Sequence, residues 1–247
     1  MEQWKLQPAR DLGLSQSQRM RSLRRESGLI ETGLHMFWWA LIRSYLRIGH
    51  RLEVRGKEHL PAGPPFVLVA NHGSHLDALT LFASLPCGLR DRVFPLAAGD
   101  AFFEATSTAA FAAFLLNALP LWRRRCNPRD IAELRRRLLD EPCAYILFPE
   151  GTRTRTGSMG PFKGGLGILV AGTDVPVVPC HLEGTFRAWR PDRRLPTPGR
   201  KITLSVGPPL RFSAMANDRD GWTEVAAAAE ASVRSLAPVP PPTPSAS

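Results

Sequence analysis

The chain has 247 residues, 44% hydrophobic and 22% charged, enough apolar material for one packed domain and too much for disorder over most of its length. Lys and Arg outnumber Asp and Glu by 32 to 22, and the resulting +10 favours an anionic partner: nucleic acid, an anionic membrane or a phosphorylated substrate. Cys87, Cys126, Cys143 and Cys180 form no CxxC pair and have no histidine at ligand spacing, which argues against a structural zinc site and against a disulfide scaffold.

The first stretch, MEQWKLQPAR, lacks the apolar core of a signal peptide, so the thiols read as reduced in a cytoplasm-facing protein. Residues 1–28 are polar and rich in arginine. Residues 29–49, LIETGLHMFWWALIRSYLRIG, carry an uncharged run from Thr32 to Ile42, short of the roughly 20 apolar residues a membrane span needs. With Trp38 and Trp39 and flanking Arg43 and Arg47, it reads as an interfacial amphipathic helix that meets anionic lipid; a core helix docked on the domain is the other reading.

PFVLVA (65–70) reads as a buried strand, followed by a helix DALTLFASL from Asp77. VFPLAA (93–98) and ALPLW (118–122) are weaker strands. The charge-free stretch from Ala105 to Trp122 is broken by polar residues and Pro120, so a buried helix running into a strand is predicted. PRDIAELRRRLL (128–139) has Ile131, Leu134, Leu138 and Leu139 at helical spacing. CAYILF (143–148) is a buried strand, GGLGILVAG (164–172) a short helix, VPVVPCHL (175–182) and KITLSVG (201–207) strands, and WTEVAAAAEASVRSL (222–236) a helix. Strands alternating with helices predict an α/β fold, a mostly parallel sheet flanked by helices. The predicted organisation is a basic segment with its membrane-contact helix over 1–50, an α/β domain over 51–236, and a Pro-rich disordered tail over 237–247.

Two constellations follow predicted strands, where open α/β sheets bind ligands. The first is Asn71-His72-Gly73-Ser74-His75-Leu76-Asp77. A turn could bring the Asp77 carboxylate to the His72 imidazole, a pair suited to taking a proton from an alcohol. Asp77 as a helix cap and His72 as an ordinary loop residue are the structural alternatives, and His75 competes for the same aspartate. The second is Phe148-Pro149-Glu150-Gly151-Thr152-Arg153, with Lys163 further on in GPFKGG. Gly151 permits a turn or a close approach, Thr152 can donate a hydrogen bond, Arg153 can clamp a phosphate, and Glu150 could hold an arginine or a substrate hydroxyl. Arg123-Arg124-Arg125 adds cations after a third strand. Basic residues at 123, 153 and 163 point to one phosphate pocket assembled from several loops. No nucleic-acid fold signature and no GxSxG elbow are present, the latter leaving Ser74 a poor candidate nucleophile.

These residues resemble the glycerolipid acyltransferases, the 1-acylglycerol-3-phosphate acyltransferase group. NHGSHLD is similar to the family's NHx4D motif, FPEGTR to its acceptor-phosphate motif, and Val175–Gly184 to its later proline-containing motif, in the same order from about Arg51 to about Gly207. The resemblance implies His72 as general base with Asp77 as its partner. It implies Arg123, Glu150, Gly151, Thr152, Arg153 and Lys163 around the acceptor phosphate, and Asn71, Ser74, Pro149 and Pro179 as further motif positions. The segment Asn117–Arg123 departs from the family pattern, lacking its Gly and acidic residue.

The implied reaction moves an acyl group from acyl-CoA or an acyl carrier protein to a lysophospholipid hydroxyl, with phosphatidic acid as product. No cofactor beyond that co-substrate and no metal are implied. Backbone N–H groups near Gly73 or Ser74 are the expected oxyanion donors. Partners are anionic membrane lipids and the lysophospholipid, not nucleic acid, on the cytoplasmic face of the membrane in peripheral or monotopic fashion. Glycerol 3-phosphate, another lysophospholipid or a lyso-amino lipid are alternative acceptors; a non-catalytic basic membrane-binding module is the remote alternative.

Overall fold

The computed structural model describes residues 13–15, 18, 29–98, 118–121, 128–193 and 195–238. Its elements in chain order are α1 (Leu29–His50), β1 (Glu53–Arg55), β2 (Phe66–Ala70), α2 (Leu76–Ser84), β3 (Val93–Ala98), β4 (Leu119–Leu121), α3 (Pro128–Asp140), β5 (Ala144–Leu147), α4 (Gly165–Val170), β6 (Val177–Glu183), α5 (Thr185–Ala188), β7 (Thr203–Val206) and α6 (Arg219–Ser235). Short 3-10 turns occupy Lys57–His59 and Cys87–Arg92. The predicted helix over 105–117, Arg123 and most of the tail lie outside the described residues.

Among the described residues the strands form one sheet in the order β1-β7-β6-β2-β5-β3-β4, parallel throughout except between β6 and β7. The predicted mostly parallel α/β fold is therefore observed. Alternation along each strand sorts side chains to two cores. Phe66, Leu68, Ala70, Ile146, Val178 and Cys180 face α1 and α2. Val67, Val69, Tyr145, Leu147 and Val177 face α3, α4 and α6. Helices cover both faces, so every residue of β2 is buried, which is why FVLVA reads as a continuous apolar run.

The helices dock as their spacing dictates. In α1, Trp39, Ile42 and Leu46 form the buried stripe, and Trp39 stacks on Phe82 of α2 with ring centroids 4.7 Å apart. In α3, Leu134 and Leu138, one turn apart, are buried, whereas Leu139 is 48% exposed. Arg135 of α3 caps α4 by donating to the carbonyls of Ile168 (2.9 Å) and Ala171 (2.7 Å). In α6 the N-cap Asp218 accepts from the Gly221 amide, and Val225, Ala226, Ala229 and Val233 are buried. α4 and α6 approach so closely that a Cβ on Gly167 would sit 2.3 Å from the Trp222 Cα, so only glycine fits there.

The register of β2 against β5 positions the site. Val69 lies beside Leu147, and the loops that leave these two parallel strands stay side by side. His72 and Glu150 meet across a separation of 78 residues, the offset of the strand pair itself, and so do His75 and Arg153. The chain then crosses to the other side of β2, because β6 pairs with β2 on the edge opposite β5. That reversal opens a crevice at the strands' carboxyl ends.

Candidate active site

His72 sits just past the end of β2, with its Nδ1 2.9 Å from Asp77 Oδ2 in the first turn of α2. Its ring stacks on Phe148 at 4.1 Å between centroids, 17° from parallel. Carboxylate and phenyl ring together fix the imidazole's orientation, and no described residue is bonded to Nε2. The His72 side chain is 22% exposed while that of Asp77 is fully buried. An imidazole with one nitrogen on a buried carboxylate and the other uncommitted can take a proton from a hydroxyl that docks against it.

Asp77 does not cap α2; the N-cap position is His75. Asp77 Oδ2 instead accepts three hydrogen bonds, from His72 Nδ1 and from the backbone amides of Gly73 and Ser74, each amide at 2.7 Å. This overturns the expected oxyanion donors: the Gly73 and Ser74 amides point at the carboxylate they fold around, so they are not offered to a substrate. Ser74 is also accounted for. It is 1% exposed, its hydroxyl donates to the Trp189 carbonyl at 2.6 Å and accepts from the Leu76 amide, and it cannot act as a nucleophile from there. Asn71 extends the β2–β6 ladder with its side chain, donating to the Leu182 carbonyl (3.0 Å) and accepting from the Leu182 amide (2.8 Å).

The second loop braces the first. Glu150 accepts from the His72 amide at 2.7 Å and the Gly160 amide at 2.8 Å, and is 7% exposed. Burial pushes its carboxyl above the usual range, and the two amides pull it back. Glu150 was expected in the acceptor-phosphate set, but its two oxygens face backbone amides, and a carboxylate would repel a phosphate. It locks the His72 loop to the 150–160 loop. The Thr154 amide adds a bond to the His72 carbonyl at 2.9 Å.

Arg153 enters the crevice half-buried, with Nη1 against the ring of His75. Burial pulls the guanidinium's pKa down, and Asp77 opposes this; among the described residues no carboxylate pairs with it. A half-buried guanidinium without an acidic partner among the described residues has the chemistry to receive an anion. Gly151 adopts φ 75°, and a Cβ there would meet Lys163 Nζ at 3.0 Å, so the turn is built for glycine and brings the lysine over it. Lys163 is tied to the loop by its amide, which donates to the Pro149 carbonyl. Thr152 is exposed and Pro149 buried.

Pro179 lies inside β6, paired with Val69, three positions before His72 along the neighbouring strand, and its carbonyl accepts from Gly207. It is thus held within the sheet next to the strand that leads to His72. Among the described residues no group of three or more His, Cys, Asp or Glu could hold a metal ion. Sequence reasoning missed the stacking of Phe148, the bracing role of Glu150, the His75–Arg153 contact and the placing of Trp189 over His75. The first three follow from the β2–β5 register, which no local pattern reveals.

Fold and site define an α/β protein with a hydrogen-bonded histidine–aspartate pair and a half-buried arginine on adjacent strand ends. The acyltransferase family model matches residues 51–183, and the chain belongs to that family. It is 32% identical over 181 residues to the mouse 1-acyl-sn-glycerol-3-phosphate acyltransferase alpha, covering 72% of this chain and 61% of the mouse protein. It is 36% identical over 172 residues to the human protein of the same name, covering 69% and 58%. The chain thus spans about three fifths of the length of these relatives. Among solved structures, the Thermotoga maritima 1-acyl-sn-glycerophosphate acyltransferase PlsC shares the fold, with TM-score 0.61 and 21% identity over 83% of this chain and 78% of that one.

Proposed function

We propose that this protein transfers a fatty acyl chain from an acyl-CoA or acyl-carrier-protein thioester to the free hydroxyl of 1-acyl-sn-glycerol 3-phosphate, giving phosphatidic acid. The observation that carries this reading is the seating of the His72–Asp77 pair and of Arg153, which no carboxylate among the described residues pairs, on the ends of two adjacent parallel strands. Arg153, with Thr152, Gly151 and Lys163 on its loop, holds the acceptor phosphate, and the hydroxyl lies against His72. Arg123, outside the described residues, belongs to the same proposed set by resemblance alone.

His72 Nε2 takes the hydroxyl proton as the oxygen bonds to the thioester carbonyl carbon. Asp77 stabilises the imidazolium that forms. The tetrahedral intermediate collapses, the carbon–sulfur bond breaks, and the leaving thiolate takes the proton back from His72. The alcohol of the substrate is the nucleophile, consistent with Ser74 being buried and bonded.

The site works at a membrane surface in this reading. Phe37, Leu41 and Ile48 lie on the α1 face opposite the buried stripe, and Phe37 and Ile48 are 73% and 83% exposed. Arg47, exposed in the last turn of the helix, lies on the flank of that face. Among the described residues no helix is long and apolar enough to cross a membrane. An exposed apolar helix face with a basic residue at its flank suits peripheral or monotopic contact with anionic lipid. Residues 1–50 then form the membrane-contact segment and 51–236 the acyltransferase domain.

Mass spectrometry of products tests the acceptor. With an acyl-CoA or acyl-carrier-protein donor, phosphatidic acid should form from lysophosphatidic acid in preference to products from glycerol 3-phosphate, lysophosphatidylcholine or a lyso-amino lipid. A product from one of those alone would reassign the acceptor; no acylated lipid with either donor would overturn the reaction.

A further inference from the structure

We propose that His75 is a positioning residue for the acceptor-phosphate pocket: its neutral ring accepts a hydrogen bond from Arg153 and holds the guanidinium in place without cancelling its charge. The proposal rests on the reading of Arg153 as the phosphate ligand. None of the motif roles assigned above includes His75.

Three observations converge on it. Arg153 Nη1 lies 2.6 Å from His75 Nδ1 and 2.5 Å from Nε2. Nη1 lies between the two in-plane lone-pair directions, so whichever nitrogen is bare in the neutral ring needs only a small side-chain rotation to accept that N–H, and only the imidazolium has no acceptor to offer. His75 is the N-cap residue of α2 but makes no side-chain cap bond, so the helix does not employ its ring. The ring also rests against Trp189, at 4.9 Å between centroids, and Trp189 is fixed by the bond its carbonyl accepts from Ser74.

The choice of residue type follows from the charge. A guanidinium with several free N–H groups is mobile and needs an anchor to be aimed. An Asp or Glu anchor would neutralise it and repel the incoming phosphate. A neutral imidazole accepts one N–H and leaves the charge and the remaining donors for the ligand.

The groups around the ring favour its neutral form. Burial disfavours its charged form first, Arg153 from the loop after β5 adds to this, and His72 from the loop after β2 adds less. The backbone at Pro191 and the Asp77 carboxylate on α2 act in the opposite sense. The folded-state pKa is thus below the ordinary value of 6.5. Above 6.5 the folded and unfolded chains are both neutral at this position. As the pH falls below 6.5 the unfolded chain takes a proton that the folded one refuses, so folded stability drops. The pocket keeps its geometry until the pH passes through the lowered value, and then loses it.

The test measures binding separately from turnover. Inorganic phosphate and lysophosphatidic acid are titrated into the wild type, H75L and H75N, with circular dichroism confirming the fold. H75L should bind both about tenfold more weakly, the worth of one hydrogen bond of about 1.4 kcal/mol. H75N, which keeps an acceptor oxygen, should stay within about threefold of wild type. Steady-state kinetics should show the H75L loss in the acceptor KM, with kcat little changed. In the unmutated protein, the Arg153 side-chain N–H resonance should shift at the pH where the His75 imidazole titrates. H75L binding as tightly as wild type would overturn the proposal, and so would folded H75N as weak as H75L, or Arg153 indifferent to the His75 titration. A wild type that binds no phosphate would overturn it as well. A wild type that binds phosphate but transfers no acyl chain would refute the reaction while leaving the His75 comparison to be read on binding.

Discussion

At the scale of single residues, the loop after β2 is organised around one carboxylate oxygen. Asp77 Oδ2 gathers the His72 ring and two amides, so the loop's shape and the histidine's tautomer have one cause. Ser74 belongs to the same loop but performs a structural task. Ser74→Ala removes the donor to the Trp189 carbonyl and the acceptor for the Leu76 amide, and thermal or urea unfolding should show a loss of about 1–3 kcal/mol. Acyl transfer at a temperature where the variant is folded should stay within a few-fold of wild type. A loss of orders of magnitude in a folded Ser74→Ala protein would instead mark Ser74 as a nucleophile. The sequence made the His72–Asp77 pair legible because both partners lie within one short loop. Glu150 was misread for the opposite reason: its partners are backbone amides at 72 and 160, and backbone donors carry no residue signature.

At the scale of elements, the site loops are held from α6, which lies beyond the family-matched residues. Glu230 accepts from the Phe162 amide at 2.8 Å, and Arg234 donates to the Met159 carbonyl at 3.2 Å. The neighbouring Gly160 amide holds Glu150, which holds the His72 amide. The Phe162 amide is the first cause keeping the Glu230 carboxyl below its usual range, and Arg234 assists. A carboxyl with a lowered folded-state pKa stabilises the fold fully above its unfolded value near 4.5, and that contribution is lost as the pH falls through the lowered one. Glu230→Ala should therefore weaken the wild-type stability dependence on the acid side of pH 4.5. At neutral pH it should speed hydrogen exchange at Gly160 and Phe162. Unchanged exchange at both amides would show that α6 does not brace the loop. Most elements were legible, because 66–70, 93–98, 144–147 and 177–183 are short apolar runs between turn residues. Strand order was not: β5 inserts between β2 and β3, a pairing set by helix crossovers and long-range burial that no window of sequence contains.

At the scale of the whole molecule, α1 serves two surfaces. Its Trp39–Ile42–Leu46 stripe joins the core, so the docked-helix reading is correct for one face. The face with Phe37, Leu41 and Ile48 remains exposed, which leaves room for the lipid-contact reading on the other. The two readings of this segment were not exclusive; periodicity identified a helix with apolar residues on more than one face, and only the packing shows which stripe the sheet takes. Replacing Phe37 and Ile48 together by Glu should leave the melting temperature within a few degrees of wild type, because both side chains are exposed. Flotation with anionic phosphatidylserine-containing vesicles should fall sharply. Undiminished flotation would remove α1 from the membrane contact.

The central claim is base-assisted acyl transfer at His72, and its most direct measurement is thiol release from acyl-CoA or the acyl carrier protein in the presence of lysophosphatidic acid, wild type against His72→Ala. The account predicts acceptor-dependent release by the wild type and a loss of about 10²–10⁴-fold in a variant whose circular dichroism is unchanged. Release that persists undiminished in a folded His72→Ala protein would contradict it.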